Sequence, residues 1–445
     1  MLCPHGLPGE GAPTGTPTGP RVPVPAPPTP PADAEPPAQA APRPVPPVTG
    51  GPSPAPAPVP PFVPGCPPPH GREEPYGPYV PPGGPYTCVD APASLLDPGT
   101  RRDPHPLYRT LRGKFPLVHD EPFGAWLISR YADVRAALAD PRLVAPSPGP
   151  AAAHGAYRAV VSPALGDRVA AALRAGVERT AHVLASRLAS RQEADLVAEF
   201  CRWLPAAAAV TALGLPYEDT ARVHAWCRTG LDHLGGRHPG LAAHLRPHIA
   251  DRRARPGDDL LSALCTAGPD GRPLPDEAVT GLAATVLGAA GETTARALAS
   301  FLANLLDHPR QLDLVRARPE LAAAAWAESL RRDPPLQIVA RRALEPIGPV
   351  PEGATVACLL GAAGRDPARF ADPDRYDVFR ADPGGLAYGS GPHLCPGVPL
   401  ARLTAESGLR ALLTVLPGLR RAPGPRPRAE GLVSRSPRTL PVCPR

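Results

Sequence analysis

Of the chain's 71 prolines, 32 fall within the first 90 of its 445 residues. Proline fixes φ, donates no backbone hydrogen bond and interrupts helices and central strands. A stretch this rich in it cannot supply a helical or sheet core. Runs such as Pro23-Val24-Pro25 and Pro54-Ala55-Pro56-Ala57-Pro58 recur there without hydrophobic periodicity. Residues 1–88 are therefore expected to be a proline-rich extension, disordered or in polyproline II. Residues 89–445, rich in Ala, Leu and Arg, are long enough to bury one large, mainly helical core.

The formal net charge of +6 is carried by arginine, with Lys114 the only lysine. No Lys/Arg cluster is interleaved with aromatic residues, which speaks against nucleic-acid binding. The nine cysteines are scattered and never form a CxxC pair, so neither a disulfide framework nor a structural zinc site is expected. The N-terminus lacks the basic start and apolar run of a secretory signal. No stretch of membrane-spanning length is free of charge, proline and glycine clusters. These features predict a cytoplasmic protein, expected to be a monomer, with no membrane or nucleic-acid partner.

Along the chain, DPHPLYRTLR from Asp103 predicts a short helix, Trp126 to Tyr131 a strand, and Tyr131 to Ala139 a helix closed by Asp140-Pro141. Ala and Leu recur at helical spacing between Gly166 and Leu213. The segment Arg255 to Leu264 reads as a loop ending in a helix start, capped by Asp258 or Asp259. From about Asp276 to Leu306 the pattern predicts one long helix, spanning about 45 Å, before His308-Pro309 stops it. It is small or apolar on nearly every face. Glu292, Thr293 and Thr294 nevertheless sit at its midpoint, and buried polar groups need partners or a purpose. Further helices are expected over Glu320 to Arg332 and Pro399 to Leu416.

Just before the last of these lies Tyr388-Gly389-Ser390-Gly391-Pro392-His393-Leu394-Cys395-Pro396-Gly397. Glycines there let the backbone pass close to a flat ligand. A cysteine at a helix N-terminus, facing backbone N–H groups, is expected to favour the thiolate. The segment resembles the haem-binding loop of the cytochrome P450 family, an aromatic residue followed by GxGxHxCxG. The resemblance extends over about Asp103 to Pro417. It implies a mainly α fold with small β-sheets (α+β), and heme b (iron protoporphyrin IX) between the long helix and the cysteine loop. Cys395 would ligate the iron, and Gly389, Gly391 and Gly397 would shape the loop. A thiolate ligand pushes electron density onto iron and favours O–O cleavage.

Ala289-Ala290-Gly291-Glu292-Thr293-Thr294 resembles the family's oxygen-activation motif. Reducing and splitting O2 consumes protons, which an acid (Glu292) and a hydroxyl (Thr293) can deliver. Glu328 and Arg331, three apart on one helix face, resemble the first two members of the family's Glu-Arg-Arg triad, with Arg375 of Pro373-Asp374-Arg375-Tyr376 as the third. Two haem propionates need cationic partners. The family's motifs assign these to His154 and Arg158 (HxxxR), Arg341 (RxA) and His393. The activity implied is a mono-oxygenase of secondary metabolism, inserting one oxygen atom from O2 into a small organic substrate. Electrons would come from a separate ferredoxin or similar carrier, for which Arg402 would line a docking face.

The sequence departs from the family's pattern in places. Pro396 has no N–H to offer the cysteine sulfur, which implies a more strongly donating thiolate. The link from Val144 to Ala153 is short, Ala290 stands where glycine is usual, and the connection from Glu345 to Thr355 is abbreviated. Leu336 to Val339 and Val144 to Ala153 are expected to face the substrate. A haem-bound isomerase or dehydratase, and an interaction module built on the proline-rich tail, are the competing classes. Glu292 and Thr293 favour the oxygenase over the first. His244 and His248 have the spacing of metal ligands, but Pro247 lies between them and no third ligand is apparent in sequence. They are read as surface residues.

Overall fold

The structure, a computed structural model, describes Tyr79 and residues 92–146, 151–230, 239–266, 268 and 272–445; for 151–157, 227–230 and 239 it describes the backbone alone. Apart from Tyr79, the proline-rich extension lies outside the described residues. Tyr79 belongs to the folded unit: it is buried among Ile128, Tyr131 and Leu143, its N–H donates to Asp140 Oδ2 (2.7 Å), and its carbonyl accepts from Arg142 (2.8 Å).

Ten short strands are described: β1 (Leu117–Asp120), β2 (Ala125–Ile128), β3 (Leu143–Val144), β4 (Ala194–Asp195), β5 (Ile338–Ala343), β6 (Thr355–Leu359), β7 (Arg420–Arg421), β8 (Ala429–Glu430), β9 (Ser436–Pro437) and β10 (Pro441–Cys443). The largest sheet has the order β1-β2-β6-β5-β3. Its pairs are antiparallel except β2 with β6, where Trp126 lies opposite Val356. Strand alternation sends successive side chains to opposite faces. Ile338, Ala357 and Leu359 therefore pack under helix His105–Lys114 through Leu107, Tyr108 and Leu111, while Ala343, Val356 and Cys358 pack under helix Tyr131–Ala139 through Val134, Ala137 and Leu138. Arg341 shares the second face. The abbreviated link between β5 and β6 is a tight turn closed by Ile347 and Val350.

The larger core is helical. Helix Asp167–Ser186 buries Val177, Ala181 and Leu184, one stripe at helical spacing. They share a cluster with Phe200, Leu204, Leu298, Phe301, Leu409 and Leu412 from neighbouring helices. Asp259 caps helix Leu260–Thr266, accepting the Ser262 N–H at 2.7 Å, as one of the two expected caps. Helix Val398–Val415 follows the cysteine loop directly.

The long central helix is not uniform. An α-helical segment Asp276–Gly288 passes into a π-helical turn Ala289–Thr293 and resumes as Thr294–Asp307. Hydropathy predicts the length of such a helix. It carries no readable signal for one inserted residue here, because the sequence is small or apolar on nearly every face and a slip in phase leaves no mark.

His105 lies beside the sheet near Arg365, and burial, assisted by that guanidinium, lowers its pKa from 6.5 to about 4. The unfolded chain takes up this proton at a higher pH than the native one, so stability is retained above pH 6.5 and lost as pH falls towards about 4. Urea unfolding across that window is expected to show a shallower loss of stability in His105→Gln than in wild type. Parallel curves would refute the assignment.

Candidate functional site

The cysteine loop is fixed by its own backbone. The Cys395 N–H donates to the Tyr388 carbonyl (2.9 Å), Leu394 to Gly391 (3.0 Å) and Gly389 to Leu386 (2.8 Å). Gly389 and Gly391 have φ of +82° and +66°, a region L side chains rarely adopt. A Cβ on Gly391 would lie 2.7 Å from Ala139 Cα, so this glycine lets the loop close onto the end of helix Tyr131–Ala139. Gly397 serves differently. Its backbone N–H favours the ionised Cys395 sulfur, a contribution that Pro396, without an N–H, cannot make.

In the polypeptide alone, burial pushes the Cys395 thiol up from its ordinary pKa, against the pull of the Gly397 N–H and the Arg158 charge. The helix-start argument for a standing thiolate is thereby corrected: desolvation outweighs it. Coordination by a metal removes the proton outright.

Arg158, on helix Ala151–Ala164, donates to the Leu394 carbonyl and so reaches the loop. The backbone of His154 lies in the same helix, and its side chain is outside the described residues. His393 ends the 3-10 turn Gly391–His393, two residues before the cysteine. Arg341 is 5% exposed; its Nη1 donates to the Ala340 carbonyl (3.0 Å), while Nε meets no acceptor. Burial lowers its pKa. A buried guanidinium left without a counter-charge is costly, and a carboxylate is the acceptor that its fork of donors fits. The polypeptide thus fits haem at two independent places: a propionate-ready arginine and a cysteine loop with two left-handed glycines.

Glu292 and Thr293 lie in the π-helical turn. Thr293 Oγ1 donates to the Ala289 carbonyl four residues back, and Glu292 pairs with Arg296 (Nε–Oε1 2.9 Å), its side chain 31% exposed. The central helix is tied to the cysteine loop through aromatics. The Phe301 ring lies edge-on to Trp326, with centroids 5.3 Å apart, and Trp326 Nε1 donates to the Tyr388 hydroxyl (2.9 Å).

Residues 245–416 match the profile of the family described as Cytochrome P450. Cytochrome P450 107B1 of Saccharopolyspora erythraea is 33% identical over 369 residues, 73% of this chain and 88% of that protein. The chain belongs to the cytochrome P450 family. The mycinamicin IV hydroxylase/epoxidase of Micromonospora griseorubida is 34% identical over 362 residues, covering 72% of this P450 and 90% of the relative. Among solved structures, cytochrome P450 CYP109Q5 from Chondromyces apiculatus superposes with a TM-score of 0.72 at 29% identity, over 79% of this chain and 97% of that one. The P450 is a haem-thiolate mono-oxygenase: it inserts one oxygen atom from O2 into an organic substrate, with electrons from a redox partner. No helix among the described residues is long and apolar enough to cross a membrane.

One expected constellation needs correction. Glu328 and Arg331 pair as the sequence implied, at 0% and 1% exposure, through bonds of 2.7 and 2.8 Å. The third member is Arg380, not Arg375. Arg380 Nε–H donates to both Glu328 oxygens (3.2 and 3.1 Å). The Arg375 guanidinium is turned outward, 3.6 Å from Asp377, and only its carbonyl joins, accepting from Arg331 and Arg380. The chain turns between them, the Arg380 N–H donating to the Asp377 carbonyl (3.1 Å), and motif spacing does not register that turn. Arg375→Ala is expected to change unfolding stability by less than about 0.5 kcal/mol, and Arg380→Ala to cost about 1.5–3 kcal/mol. Equal effects in urea titration would reinstate Arg375. Arg402, expected on a docking face, pairs with Glu406 at 2.6 Å.

Proposed function

We propose that this P450 carries heme b and works as a monomer. On this reading it draws electrons from a ferredoxin or similar separate carrier, and oxygenates a small organic molecule of secondary metabolism. The observation that carries the reading is the Cys395 sulfur, half-buried in a loop turned by two left-handed glycines, with the Gly397 backbone and the Arg158 charge favouring its ionised form. Bound there, a thiolate-ligated haem supplies the oxidising chemistry that splits O2.

The chain's own residues do the rest. Arg341 and Arg158, with His393 and His154, are assigned to the propionates. Arg341 Nε supports this most directly, being buried without an acceptor in the polypeptide. Glu292, partly open to solvent and held by Arg296, collects protons from water. Thr293 donates its own proton to Ala289 O, so its oxygen lone pairs remain free to hold a water at the reacting centre. Two electrons and two protons accompany each O2, one oxygen entering substrate and the other leaving as water. Secondary metabolism is supported by the likeness to a mycinamicin IV hydroxylase/epoxidase.

The reduced, purified full chain exposed to carbon monoxide is expected to show the strongly red-shifted Soret band of thiolate-ligated haem. Cys395→Ser is expected to lose that band. A colourless wild type, or an unchanged band in the variant, would overturn the proposal.

A further inference from the structure

The histidines of helix Pro239–Ala254 acquire in the fold the third partner that the sequence did not reveal. Pro247 does not break the helix, so His244 and His248 stand one turn apart on it, with rings 5.2 Å apart. Asp219 closes the turn Tyr217–Asp219 ahead of helix Thr220–Gly230. One ligand atom from each of Asp219, His244 and His248 lies within 4.8 Å of the others. Among the described residues this is the one such cluster.

We propose that Asp219, His244 and His248 form a divalent-metal site, suited to Zn2+ with water as the fourth ligand. Two imidazole nitrogens and one carboxylate oxygen are a zinc donor set, and three protein ligands plus water is the arrangement of an open tetrahedral site. An ion about 2.0–2.1 Å from each ligand atom holds the atoms about 3.3 Å apart, so the cluster closes onto it by side-chain rotation. His244 Nε2 and Asp219 Oδ2 already stand 2.8 Å apart, with side chains 17% and 10% exposed. The Trp226 ring, 5.4 Å from that of His244, provides an apolar wall.

Arg222 determines what must change on binding. Its Nη1 lies 3.1 Å from both His244 Nδ1 and Asp219 Oδ1. In that arrangement Nδ1 accepts, and Nε2 carries the proton shared with Asp219. Zinc on Nε2 requires the other neutral tautomer: the proton leaves Nε2 and one is taken up at Nδ1, with no net change on the ring. Arg222, 55% exposed, then swings off Nδ1 while its ion pair to Asp219 Oδ1 can persist. The bound ion would join the turn before one helix to the middle of another. Both helices pack against segment Asp276–Gly288 of the central helix, so zinc would brace the layer covering it.

The test uses the haem-loaded full chain, stripped with chelator, dialysed against zinc chloride and analysed for metal. One Zn2+ per chain is expected, with a zinc-dependent rise in Tm. The double variant Asp219→Asn/His248→Ala, keeping the wild-type circular dichroism, is expected to lose at least about ten-fold in zinc affinity and to lose the Tm response. Equal zinc affinity in the double variant would place the metal elsewhere and overturn the proposal. So would a wild type that retains no zinc through dialysis.

Discussion

Glu328→Ala is expected to cost about 3–5 kcal/mol of unfolding stability, the penalty for stranding a buried charge, and to lower the yield of haem-loaded protein. Glu328 is fully buried and meets Arg331, Arg380 and the Asp377 N–H together. Removing it leaves two guanidiniums facing one another in a site closed to water. Arg331 also donates to the Gly364 and Pro373 carbonyls (2.6 and 2.9 Å), so the damage spreads along the segment leading to the cysteine loop. Urea unfolding followed by tryptophan fluorescence measures the loss. A change under about 1 kcal/mol would show that the pair is already solvated, as surface pairs are.

Thr293→Ala is expected to lower product formation by about 100-fold or more, the scale of a lost proton-delivery group, while oxygen uptake falls far less. Without the hydroxyl, a water beside the reacting oxygen is no longer held. Two electrons and two protons then reduce O2 only to hydrogen peroxide, which is released. Thr293→Ser, which keeps the hydroxyl and its bond to Ala289 O, is expected to recover most of the product yield. Glu292→Gln, by contrast, should slow oxygen uptake and product formation together. Measuring product, peroxide and oxygen in parallel separates the two roles. Unchanged coupling in Thr293→Ala would remove Thr293 from the mechanism.

Much of this was legible from residues alone. Helix Tyr131–Ala139, the cap Asp259, the helix after the cysteine and the Glu328–Arg331 pair all follow from local rules: periodicity, capping and three-residue spacing. Gly389 and Gly391 were legible as glycines, but Gly391's purpose, closure onto Ala139, belongs to a contact between distant segments. Thr293 was legible as a polar residue in an apolar helix, whereas the π-helical turn holding it was not.

The sequence by itself determined the family, the cysteine and the long helix, because each is written in contiguous residues whose chemistry does not depend on what lies across the fold. Only the tertiary structure decided that Arg380 replaces Arg375 at Glu328, that burial outweighs the helix start at Cys395, and that Asp219 meets His244 and His248. These outcomes depend on chain reversals and on water exclusion. Neither is encoded in the spacing of one segment, since both arise only when remote segments pack.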